Sequence, residues 1–538
     1  MIDLAILLIR KRKTMYLKRM LQANFTLIFL LCTYNILLAQ NVRISNLDYP
    51  NEPSIAMDPK NPSVLVAGAN LNNYYISRDS GHTWTTANLT SSYGVWGDPV
   101  IAVDTSGDFY FFHLSNPPSG NWIDRIVCQK TTDQGITWSD GSYTGLNGKK
   151  AQDKHWCAVD RSNNHMYLTW TQFDNYGSSS PVDSSIILFS KSLDAGQSWT
   201  APKRISKTAG DCLDQDNTVE GAVPAVGPNG EIYVSWAGPR GLVFNKSTDQ
   251  GDHWLEEELD ITSILGGWDF AIPGIFRANG LPITACDVSD GPYRGTIYVN
   301  WTDQRNGETN TDVWLVKSND GGASWSDPIR VNDDVSNHQQ FFTWMAIDQT
   351  NGNLYFVFYD RRNYQGDTTD VYMALSTDGG QTFINRKISE LPFVPIQDIF
   401  FGDYTNLTVH NGIVRPIWTR LHNGELSVWT HLMREADFFK STATVDQSTE
   451  TDAGFENYPN PSSDLTYVSF KLHQHATVNL YLEDVNGRIL AKFIDNEKLP
   501  YGKYVECISI AELNLAVGSY FIRLDIDGKT KIRKIIIN

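Results

Sequence analysis

The chain reads as all-β: a long domain of repeated four-stranded units, then a small β-sandwich. Three observations carry that expectation. An octapeptide pattern (Ser/Thr, any residue, Asp, any residue, Gly, two residues, aromatic) occurs six times, at Ser77–Trp84, Thr131–Trp138, Ser192–Trp199, Ser247–Trp254, Ser318–Trp325 and Ser376–Phe383. The composition, 12 % aromatic with 40 Gly, suits short strands joined by tight turns. Beyond residue 458 apolar and polar residues alternate in short runs, as in strands with one face buried.

In chain order, residues 1–40 read as an export signal. Arg10-Lys11-Arg12-Lys13 and Lys18-Arg19 precede an apolar run, Phe25–Ala39, and Ala39 is a plausible cleavage residue. The basic part is long, so translation from Met15 or Met20 is an alternative start. A membrane anchor is the competing reading, but the run is shorter than the roughly 20 residues a spanning helix needs. No later segment is apolar enough to span a membrane.

Residues 41–435 form the repeat domain. Each octapeptide ends one strand-like run and begins another. Its Asp can accept backbone N–H bonds within the turn, its Gly can take positive φ, and its aromatic can anchor the turn into the layer below. Each unit opens with an apolar strand, most often ending in Asp: Pro53–Asp58, Pro99–Asp104, Trp156–Asp160, Val223–Gly227, Ile283–Asp287 and Trp344–Asp348. A seventh opening, Asp403–His410, has no octapeptide after it. Its unit lacks a fourth strand in sequence, and Asn41–Asn46 can supply one by pairing with Glu425–Thr430. That closure predicts seven units from six motifs and removes two exposed edges. Six units with one divergent copy is the alternative.

Residues 436–457, rich in Ser, Thr, Asp and Glu, read as a linker. Residues 458–538 read as a β-sandwich domain: Tyr458-Pro459-Asn460-Pro461 opens it, alternating strands follow, and Gly518-Ser519-Tyr520 leads into a basic and apolar tail.

The octapeptide is identified as the Asp box, or bacterial neuraminidase repeat, so residues 41–435 resemble the sialidase-like β-propellers. True sialidases have six blades, which the seven openings here do not match. The segment 458–538 resembles the C-terminal sorting domain of the type IX secretion system. That resemblance implies passage through the periplasm, delivery to the outer surface or medium, and the secretion machinery as a partner.

The net charge of −17 argues against nucleic acid as the main partner. Of the six cysteines, Cys32 falls in the leader. The other five (Cys128, Cys157, Cys212, Cys286 and Cys507) show no zinc spacing and read as buried thiols.

Strand polarity puts the Asp boxes at one end of the ring and the loops opening each unit at the other, where a glycan or glycoprotein ligand is expected. Those loops carry aromatics for stacking, carboxylates for acid/base work and arginines for binding acids. From resemblance to retaining sialidases, Glu220 and Tyr404 are candidates for the activating Glu and nucleophilic Tyr, and Asp98 and Asp153 for the acid/base. Arg240, Arg305, Arg362 and Arg420 are candidates for substrate binding, with Trp96 and Trp268 as platforms. The family's first-Arg motif is missing. The pattern around Asp303-Gln304-Arg305 repeats at Asp360-Arg361-Arg362, which suits a loop brace better than a unique catalytic acid. No cofactor is implied, although Asp211–Asn217 is oxygen-rich enough for structural calcium. The resemblance therefore implies a sialidase-like glycosidase, with a non-catalytic glycan- or protein-binding propeller as the alternative.

Overall fold

The structure is a computed structural model that describes residues 40–439 and most of residues 455–537. The expected signal up to Ala39 lies outside the described residues.

Seven antiparallel sheets of four or five strands, with one two-stranded hairpin, occupy residues 41–434. Sheets 1 to 6 run in simple up-and-down order. Their first strands are Ser54–Met57, Val100–Val103, Ala151–Val159, Glu220–Val226, Ile283–Cys286 and Gln340–Asp348. Sheet 7 begins with Asn406–His410 and takes its last strand from the start of the domain. There Asn41 pairs with His431 and Val42 with Thr430, so the closing strand expected from the sequence is in place. The first strands touch in a closed cycle, each against the next and the seventh against the first. They therefore line a common axis, which explains why they are buried on both faces and read as near-continuous apolar runs.

The Asp boxes follow the third strands. In the sheet 5 copy, Asp320 accepts hydrogen bonds from the Ser318 hydroxyl (2.7 Å) and from Ser324 N (2.9 Å). Gly322 N in turn donates to the Ser318 hydroxyl at 2.8 Å. Gly322 has φ +83°, and a Cβ there would lie 2.2 Å from the Phe244 ring. The aromatics stitch sheets together: Trp199 meets Phe112 of sheet 2, Trp254 meets Phe189 of sheet 3, and Trp325 meets Phe244 of sheet 4, all edge to face. The Asp box is thus a fastening between neighbouring sheets.

One insertion breaks the repeat. A hairpin pairing Asp269–Phe270 with Ala278–Asn279 lies between sheets 4 and 5, within the longest interval between Asp boxes. Beyond sheet 7, Glu435–Phe439 forms a 3₁₀ turn that buries Phe438 and Phe439, so the first residues of the expected linker are folded.

The C-terminal part contains seven described strands in two antiparallel sheets, of three and four strands. Val468, Phe470, Leu480, Leu482, Ile522 and Leu524 fill the space between them. Each fully buried side chain of this size contributes roughly 1.5–3 kcal/mol. Among the described residues no helix is long and apolar enough to cross a membrane. Cys128, Cys157, Cys212 and Cys286 are free thiols.

Candidate functional site

One position recurs in every sheet, six residues before the end of the opening strand: Glu52, Asp98, Lys154, Gly221, Leu281, Phe342 and Tyr404. Five of the seven have positive φ: Glu52 (50°), Asp98 (51°), Lys154 (45°), Gly221 (74°) and Phe342 (50°). In sheets 3, 4 and 6 the register slips at this point, between Asp153 and Trp156, Glu220 and Val223, and Phe341 and Trp344. Such bulges re-aim side chains beside a site. Here they mark the mouth of the axis.

Lys154 is the centre of that mouth. Its ammonium lies 2.7 Å from Asp403, 3.3 Å from Asp98 and 3.6 Å from Glu52. Burial alone would push its pKa down, but Asp403, Asp98 and Glu52 together hold it well above the usual lysine value. Arg277, delivered by the inserted hairpin, clasps Asp403 through Nε (2.8 Å) and Nη2, and reaches Asp214 through Nη1 (2.9 Å). Burial would raise Asp403, yet Lys154 and Arg277 hold it below the ordinary carboxylate range.

The other acids at the mouth respond in the opposite sense. Burial and the charge of Asp98 push Glu52 well up. Burial and Asp214 do the same to Glu220. Asp153 rises to about 7, first through burial and then through Asp98, although Lys154 N donates to its Oδ1 at 2.8 Å. A carboxyl poised near neutrality beside one paired to an ammonium is the arrangement acid/base chemistry needs.

Glu52, Asp98, Asp153, Lys154 and Arg277 line a cleft of about 420 Å³. Its walls include Trp96 and Trp122, 37 % and 43 % exposed, whose rings meet edge to face at 6.3 Å. Tyr49, Tyr176 and Phe400 extend the apolar lining. Asp98 and Asp153 both face this space.

The other expected site residues are placed differently. Glu220 is 1 % exposed and lies beneath the cleft beside Asp214 and Trp268. Trp268 is buried and donates its indole N–H to Thr218 O, so neither face is free for a sugar. Tyr404 is buried against Trp156, with its hydroxyl unpartnered and its pKa raised by burial.

The four arginines do not converge, and none of them lines the cleft. Arg240 pairs with Asp260 at 2.6 Å and with Glu258. Arg305 grips Asp303, and Arg362 grips Asp360 and Asp333; both are loop braces. Arg420 lies over the Trp429 ring, its Nη2 donating to Pro392 O. The oxygen-rich stretch is also occupied internally. Asp211 accepts from Thr218, Asp214 from Tyr176 and Arg277, and Asp216 from Asp269 N. No group of three or more His, Cys, Asp or Glu side chains among the described residues is arranged to hold a metal.

Lys154 and Arg277 are the two cations lining this cleft, and neither was among the residues expected to act. Lys154 had a signal: it stands at the same offset from its strand-ending Asp as Glu52 and Asp98 do from theirs. Arg277 had a weaker one: it stands in the loop that opens the fifth unit, at the end where the site was expected, but the repeat says nothing about an insertion's path.

Residues 456–538 match the secretion system C-terminal sorting domain. The chain therefore carries the address of an exported protein, delivered to the outer surface or the medium by that machinery. No curated protein matches it. Among solved structures, it is similar to a Hadza microbial sialidase, with 14 % identity, TM-score 0.37, and coverage of 69 % of this chain and 73 % of that one. An ulvan lyase aligns at 13 % identity and TM-score 0.44 over 73 % of this chain and 96 % of its own. An α-L-arabinofuranosidase from Fusarium graminearum aligns at 13 % and 0.42 over 74 % and 99 %. Likenesses at these scores assign no activity.

Proposed function

We propose that this is an exported, glycan-directed enzyme that cleaves a glycosidic linkage in the cleft above Lys154. Asp153 is the acid that protonates the leaving oxygen, and Asp98 is the base that takes a proton from the water whose oxygen bonds the anomeric carbon as the C–O bond breaks. The observation that carries the reading is the pairing of Asp153, raised to about 7, with Asp98 held by Lys154, under two exposed tryptophans. Trp96 and Trp122 present stacking faces for sugar rings, and the carboxyls contact the linkage between them. Sialidase chemistry in particular draws no support from the arginines, because Arg240, Arg305, Arg362 and Arg420 are engaged elsewhere.

The second reading, a non-catalytic glycan- or protein-binding propeller, is favoured by one feature. Asp98, Glu52 and Asp403 share Lys154, a network that rigidifies a surface as readily as it poises an acid. Tryptophan fluorescence during titration with neutral and acidic oligosaccharides tests ligand class and place together. The enzyme reading expects a saturable change that Trp96→Ala weakens about tenfold, or 1.4 kcal/mol, together with product release. Binding without release supports the second reading, and no glycan response rejects both glycan readings.

A further inference from the structure

The Asp-box end of the axis holds a second cavity, of about 690 Å³, lined by the turns that follow the first strands of sheets 3 to 6. Most of its polar side chains are engaged within the protein. Gln349 bonds Val288 N and Cys286 O, both at 2.8 Å. Arg294 donates to Val288 O and Ser289 O. Asn229 donates to Glu231, Asn163 to Asp160, and the Gln250 side-chain oxygen meets His165 Nδ1.

Arg161 is the exception. It follows the strand-ending Asp160 of sheet 3, lines the cavity and is exposed to it. It makes no hydrogen bond or ion pair with the described residues, although the charge of Asp348 acts on it across the axis. In sheet 4 the strand-ending Asp is replaced by Gly227, and Glu231 takes over its part, accepting from Asn229 N at 2.9 Å.

We propose that this cavity is a binding site for a carboxylate monoanion, seated on the Arg161 guanidinium. The planar fork of five N–H donors matches a carboxylate bidentately. The nearby Asp160 and Asp348 disfavour a dianion such as phosphate. The volume accommodates a ligand of one or two sugar rings or a short acidic side chain. The site is independent of the cleft, which lies at the opposite end of the axis.

Isothermal titration of the full chain with D-glucuronate, N-acetyl-aspartate methylamide, D-glucose and inorganic phosphate tests it. At least one carboxylate is expected to bind more than tenfold tighter than glucose or phosphate, and the tighter of the two names the source, sugar acid or peptide side chain. Arg161→Gln is expected to weaken it at least tenfold, while Trp96→Ala leaves it unchanged. Arg161 is exposed, so equal melting temperatures are expected for variant and parent. Should Arg161→Gln fold poorly, Asn163→Asp places a repelling carboxylate at the same wall and is expected to weaken binding likewise. Absence of carboxylate binding, equal binding by glucose, or undiminished binding in a folded variant overturns the proposal.

Discussion

Replacing Asp153 by Asn separates the energetic cost of a poised acid from its use. Asp153 is 9 % exposed, and its pKa moves from 3.8 to about 7 in the folded chain. Between those values the folded state binds the proton that the unfolded state releases. Its contribution to stability is therefore present below about pH 4 and is lost as pH rises to about 7. A shift of this size corresponds to about 4 kcal/mol at 1.36 kcal/mol per unit. Asn keeps the Oδ1 acceptor that Lys154 N uses and cannot ionise. Asp153→Asn is thus expected to gain about 4 kcal/mol on the parent between pH 4 and pH 8, by guanidinium unfolding at several pH values. Turnover is expected to fall by at least a hundredfold. A pH-independent difference, or a variant that loses ground at pH 8, would refute the assignment of Asp153 as a neutral, buried acid.

Lys154→Met leaves three acids without their shared cation and is expected to cost roughly 3–5 kcal/mol at pH 7, read by the same unfolding assay. Acidification through the ordinary carboxylate range is expected to narrow that deficit, because the orphaned acids take up protons. Gly322→Ala forces a Cβ onto Phe244 at positive φ; a loss of at least about 1–3 kcal/mol with unchanged glycan affinity is expected from melting and fluorescence titration. Deletion of residues 456–538 is expected to leave the propeller inside the cell envelope, which fractionation and immunoblotting would detect.

The fold was legible because each Asp box repeats a local rule. A turn that satisfies its own backbone groups, with a Gly at positive φ and an aromatic anchor, reads the same in six places, and the unpaired seventh opening forced the closing strand. The site was less legible because it is assembled across the axis. Asp98 precedes the first strand of sheet 2 and Asp153 lies near the start of the first strand of sheet 3, both at the end where strand polarity put the loops that open each unit. Arg305 and Arg362 share that end, but each is consumed by an Asp a few residues away on its own sheet. Lys154 stands between Asp153 and His155, and only its offset from Asp160, which Glu52 and Asp98 share with their own strand-ending Asp residues, tells which of the adjacent side chains turns inward. Glu220 and Tyr404 were found by resemblance, and burial beneath the ion-pair network separates them from the cleft.

The central claim is that Asp153 and Asp98 perform chemistry on a glycan. Reducing-end release from an oligosaccharide that the parent chain binds, compared across Asp153→Asn, Asp98→Asn and Glu220→Gln at matched folded fraction, tests it most directly. The account predicts that both Asp variants bind the glycan and stop releasing product, while Glu220→Gln continues. Release that persists in Asp153→Asn, or is lost only in Glu220→Gln, would contradict it.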